Sequence, residues 1–75
     1  MTLTALAPGH RAVVVAIDGG WGVRRRLAAM GLTVGAEVES VFSRGRGPVV
    51  VAVRQTRLAL GRGVASSVMV EELEA

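Results

Sequence analysis

A chain of 75 residues with no cysteine and a single histidine, His10, has room for one domain, residues 1–75, and one small core. Those counts exclude disulfides, thiolate metal sites and a Cys/His nucleophile pair, and no catalytic residue, metal ligand or cofactor is assigned. The net charge of +3 rests on nine basic residues, all of them arginine, a modest excess that favours acidic partners without requiring nucleic acid.

The opening "MTLTALAPGH" has no basic region and only a short apolar stretch, so it does not read as a signal peptide. No uncharged apolar run approaches the ~18 residues that a spanning helix needs, and a cytoplasmic protein is expected. Pro8-Gly9 suits the centre of a type II turn, where glycine takes a positive φ. Residues 11–17, "RAVVVAI", follow as a strand that is apolar on both faces. Val13, Val15 and Ile17 share one face, and Ala12, Val14 and Ala16 the other. A barrel this small cannot bury both faces. Val14 is therefore placed on an outer docking surface, the alternative being cover by a helix or a terminal segment. The glycine-rich "DGGWG" lacks the GxxxxGK[ST] pattern of a phosphate loop and reads as a connection. It leaves Trp21 to cap the core or to meet a partner.

Residues 22–30 form the one helix candidate, with Val23, Leu27 and Met30 as its apolar stripe. Gly31 suits the left-handed residue that ends a helix, and Leu32 can then fold back on Leu27. Arg24, Arg25 and Arg26 stand about 100, 200 and 300° round from Val23. They fan over the wet side instead of repeating at the three- or four-residue spacing of a phosphate patch. Arg24 and Arg25 remain available to an acidic protein. "LTVGAEV" repeats the spacing of "LAPGHRA", with Val34-Gly35 at the turn, and leads into a strand at 36–43. There Ala36, Val38 and Phe42 take the core face, Glu37 and Glu39 face water, and Ser40 is a polar exception inside. "SRGRGP" is a hairpin loop, since a single RGRG copy between two strands does not make an RNA-binding segment. Strand 48–54 points Val49, Val51 and Val53 inward and leaves Val50 for the outer surface. "RQTR" lacks the glycine or asparagine that a two-residue turn prefers, so a longer loop is expected. A short strand at 57–60 carries Leu58 and Leu60, a helical turn is expected near 62–67, and a last strand at 68–72 carries Val68 and Val70. The fold class is mainly β: a small barrel of about five strands with one short helix.

The order "LAPGHRAVVVAI … RRRLAAMGLTVGAEVESVF … GPVVVAVRQTRLALGRGVASSVMV" resembles the FeoA family of bacterial ferrous-iron uptake. The likeness spans nearly the whole chain and is most specific at Arg25 to Gly35. The chain departs from the family pattern at Val34, where proline is usual, and at Gly61 to Gly63, where polar helix formers are. The resemblance implies an SH3-like barrel and a cytoplasmic, non-enzymatic accessory of the FeoB transporter, whose cytoplasmic part carries a GTP-binding domain. On that reading Val14, Trp21, Arg24, Arg25 and Val50 are the candidate partner contacts. The alternatives are a nucleic-acid-binding or regulatory barrel related to the C-terminal domain of iron-dependent repressors, and a domain whose apolar strand face drives self-association. Two aromatic residues are too few for a base-stacking platform.

Overall fold

The computed structural model of the chain describes residues 1–73. A 3-10 turn at Leu3–Ala5 precedes β1 (Arg11–Ile17), α1 (Trp21–Ala29), β2 (Glu37–Phe42), β3 (Val49–Val53), β4 (Thr56–Leu60), α2 (Arg62–Ala65) and β5 (Val68–Glu72). The strands form one antiparallel sheet in the order β4-β3-β2-β1-β5. Only residues 61–67 join β4 to β5, the two outermost strands. That short link curls the sheet on itself. One buried cluster consequently collects Ala12 and Val14 from β1, Val38 from β2, Val49, Val51 and Val53 from β3, Leu60 from β4, and Val68 and Val70 from β5. Leu3, Leu6, Leu27 and Leu32 close the cluster from outside the sheet. The amino-terminal segment thus supplies two core residues that strand periodicity does not reveal.

The two glycine turns are one device used twice, and it runs further than the spacing suggests. Gly9 and Gly35 both have positive φ, 87° and 95°. Each turn is closed by its own bond, His10 N–H to Ala7 C=O and Ala36 N–H to Thr33 C=O, both 3.0 Å. Each glycine then donates across to the other strand: Gly9 to the Ser40 carbonyl and Gly35 to the Val14 carbonyl, both at 2.7 Å. The correspondence continues along the strands. Leu6 and Leu32, Ala12 and Val38, and Val14 and Ser40 are buried in pairs. Beyond them each strand bulges, β1 between Val14 and Ala16 and β2 between Ser40 and Phe42.

Those bulges correct two assignments made by alternation. A bulge adds a residue and turns every later side chain to the other face. In β1 the bulge follows Val14 and turns Ile17 back onto the face of Ala12 and Val14, so Val14 is 1% exposed and lies in the core, not on a docking surface. Val15, the extra residue, is 43% exposed. In β2 the inward run ends at Ser40, and Phe42 turns outward at 46% exposure instead of joining the core. Ser40 itself is fully buried, and among the described residues its Oγ has no hydrogen-bond partner.

The helix ends as its glycine requires. Gly31 has φ +89°, its N–H meets the Ala28 carbonyl at 3.0 Å, and Leu32 N–H meets the Leu27 carbonyl at 2.8 Å. This paired closure drives Leu32 into the core beside Leu27. Of the expected stripe, Leu27 is buried and Val23 packs at the margin, while Met30 is 38% exposed and faces a groove described below. "RQTR" is also a correction. Val53 pairs with Thr56, leaving a two-residue turn in which Arg54 and Gln55 both hold positive φ, 49° and 69°. The right-handed twist of the paired strands demands that turn type, and it overrides the preference of these two side chains.

A candidate docking surface

Charge is divided between two halves of the molecule. α1, β3, β4, α2 and the loops that flank them, residues 19–36 and 43–67, contain no aspartate or glutamate, and they carry eight of the nine arginines. Every acidic residue, together with Arg11, falls in β1, β2, β5 or the segments that adjoin them. Arg11 is matched there by Glu37 at 2.6 Å, and His10 by Glu72. Among the described residues no arginine of the acid-free half has a carboxylate partner. Its surface is a field of one sign, open to an acidic ligand.

Within that half lies a groove of about 440 Å³ between α1 and the β4–α2 corner. Val23, Met30, Leu60 and Val64 make it mainly apolar, Ala59 forms its β4 rim, and Arg26 places the one charge on its wall. The groove continues onto the outer face of the sheet. Phe42 stands opposite Val50, and Val50 opposite Ala59, so an apolar row crosses β2, β3 and β4 and ends at the groove.

At the start of α1, Trp21 is the most exposed large apolar residue, at 72%, and the Arg25 guanidinium carbon sits 4.7 Å from its ring centroid. That cation–π contact holds both side chains at one spot on the surface. Arg24 is less free than its place in the fan suggests. Its guanidinium donates to the Ile17 carbonyl at 3.1 and 3.4 Å, tying α1 to the end of β1. Helix α1 has a glycine N-cap and, among the described residues, no side-chain cap bond and no acidic residue in its first turn, so this tether anchors the helix start to β1 without capping its first N–H groups.

Of the five residues expected to meet a partner, the fold brings Trp21 and Arg25 into contact, engages Arg24 in an internal bond, places Val50 half-buried in the outer apolar row, and buries Val14. Sequence reasoning missed the groove and Phe42. The absence of acids from residues 40–70 was a legible signal for the basic half. The groove was not, because it forms between elements far apart in the chain. Among the described residues no three His, Asp or Glu side chains converge as metal ligands would, and no helix is long and apolar enough to cross a membrane.

A five-stranded antiparallel sheet curled round one core, with a short helix inserted after its first strand, defines a small SH3-like barrel, the class ascribed to a similar protein from Stenotrophomonas maltophilia. The profile of the FeoA domain matches residues 1–72, and the chain belongs to the FeoA family. It is similar to the "Putative Fe(2+) transport protein A" of Methanocaldococcus jannaschii, at 36% identity over 66 residues, 88% of this chain and 79% of that one. A crystal structure of an iron uptake regulatory protein, FeoA, superposes with a TM-score of 0.93 at 40% identity over 97% of both chains. The FeoA of S. maltophilia, crystallised with zinc, superposes with a TM-score of 0.80 at 34% identity, over 95% of this chain and 89% of that one. A manganese-dependent transcriptional repressor shares the fold at 24% identity, this domain spanning 41% of its chain. Membership of the family connects the chain with ferrous iron transport.

Proposed function

We propose that the protein is a non-enzymatic, cytoplasmic accessory of ferrous iron transport that acts by docking on the cytoplasmic part of a FeoB-type transporter. The observation that carries this reading is the acid-free half, which joins an apolar groove, the exposed Trp21–Arg25 pair and the outer row at Val50. An exposed tryptophan stacked on arginine supplies the residue types that dominate interaction hot spots. The surrounding arginines speed encounter with an acidic surface. Iron on this reading is the transporter's cargo, and the accessory works through contact alone. The test is a calorimetric titration of the protein into the transporter's cytoplasmic domain, with and without guanine nucleotide. Saturable binding that weakens with salt is expected; no heat and no shift in sedimentation at the highest soluble concentrations would sink the proposal.

A second reading, a nucleic-acid-binding barrel, draws support from the basic half. It is opposed by the shortage of aromatic platforms, since only Trp21 and Phe42 are available to stack bases. An affinity for DNA or RNA that falls steeply with salt would favour it.

A further inference from the structure

β4 is an edge strand, and its carboxyl-terminal end, Ala59 and Leu60, lines the groove. The two-residue turn fixes which of its backbone groups are spent. Val53 and Thr56 close the ladder as a hydrogen-bonded pair, so Leu58 and Leu60 also bond to β3. Arg57 and Ala59, opposite Ala52 and Val50, then direct their N–H and C=O groups away from the sheet. Among the described residues no further backbone bond reaches either of them. Unpaired edge groups of this kind are a template for another strand. Here the usual defences are missing: β4 has no proline and no bulge, and its single charge is Arg57.

Resting on the docking function proposed above, we infer that the occupant of the groove is an extended acidic segment of a partner protein that adds as a sixth strand to β4. Its backbone pairs with Arg57 and Ala59. Its apolar side chains, alternating at two-residue spacing, enter the groove between Met30, Leu60 and Val64. Its carboxylates meet Arg26 on the groove wall and Arg57 on the strand. The arginine field selects the charge of the segment, because no acidic residue of this half repels it. Strand addition divides the work as it does in other edge-binding domains: the main chain gives affinity, and alternate side chains give specificity. An amphipathic helix would fill the groove without using the open edge. A membrane or a nucleic acid would use the arginines without the groove.

A display library of random dodecapeptides, selected against the full chain, tests this whatever the partner's identity. Enriched peptides should alternate apolar residues with Asp or Glu. A representative peptide should slow amide exchange at Arg57 and Ala59 in the ¹⁵N-labelled protein. Arg26→Glu with Arg57→Glu should weaken that peptide at least tenfold at low salt, and the difference should vanish at about 1 M salt, where the Debye length is about 3 Å. Ala59→Pro removes one outward N–H while leaving the β3 ladder intact, a position where edge strands accept proline, and should abolish binding. The proposal is overturned if no peptide is enriched, if acids are not favoured, or if apolar residues recur at helical spacing. Unchanged exchange at Arg57 and Ala59 in the bound protein overturns it even where Ala59→Pro fails to fold. Tighter binding to duplex DNA or to vesicles rich in phosphatidylglycerol would also overturn it. Transporter binding that persists in a folded Ala59→Pro variant removes strand addition and leaves the docking function standing. Peptide binding without transporter binding does the reverse.

Discussion

The turn at Arg54–Gln55 offers the sharpest test of the fold's physics. Both residues sit in the left-handed region, at φ 49° and 69°, where a side chain with a Cβ crowds the following carbonyl. The cost is about 1–2 kcal/mol for each residue, less for asparagine, and glycine escapes it. Replacing Gln55 by glycine therefore recovers about 1–2 kcal/mol in the native state. Against this stands about 0.5–1 kcal/mol for the added freedom of glycine in the unfolded chain. Arg54→Asn contributes a few tenths more by the same reasoning. The double variant, carrying the Asn-Gly pair that a type I′ turn prefers, should gain about 0.5–1.5 kcal/mol. In a domain of this size each kcal/mol moves Tm by about 4–8 °C. Urea denaturation and a calorimetric melt read the effect directly. Both residues are exposed and neither lines the groove, so the peptide affinity of the double variant should match that of the natural chain. A midpoint that stays put or falls would refute the strain argument and mean that the connection is not this turn in solution.

Four further outcomes follow from the same structure. Gly31→Val should cost about 2 kcal/mol or more in urea denaturation: at φ +89° the β-branched residue is strained, although its Cβ would meet only Val53 Cγ1, at an ordinary 3.7 Å. Val14→Ala should cost about 2 kcal/mol by the same measurement and Val15→Ala under about 0.5, because Val14 is buried in the core and Val15 is exposed; equal costs would contradict the observed register. Ser40→Ala removes a buried hydroxyl without a protein partner and should leave the melting temperature unchanged or raise it, whereas a loss of about 1 kcal/mol would reveal a bond to that oxygen. Trp21→Ala should change stability by less than about 1 kcal/mol, given its exposure, while weakening transporter binding at least tenfold in the titration.

Local chemistry made much of this protein legible before folding was considered. Gly31 followed by Leu32 specifies the helix end, because only glycine accepts the backbone angle there without strain and the next apolar residue is carried back onto Leu27. Pro8-Gly9 and Val34-Gly35 specify turns for the same reason, and the alternation of β3 fixes its inward valines. The block from Arg25 to Gly35 marks the family through these structural requirements more than through any ligand. Tertiary structure decided what depends on pairing. The bulge in β2 turned Phe42 outward and the bulge in β1 brought Ile17 onto the face of Val14, and no local signal predicts them, since the extra residue is accommodated by the partner strand. Strand twist imposed a left-handed turn on Arg54 and Gln55 against their preference. The groove exists only because residues 61–67 bring the β4 edge round to α1, which sets Arg26 and Met30 beside Ala59 and Leu60. Single residues and their neighbours thus determined the turns, caps and strand cores, while the outward surface was settled by contacts between elements distant in the chain.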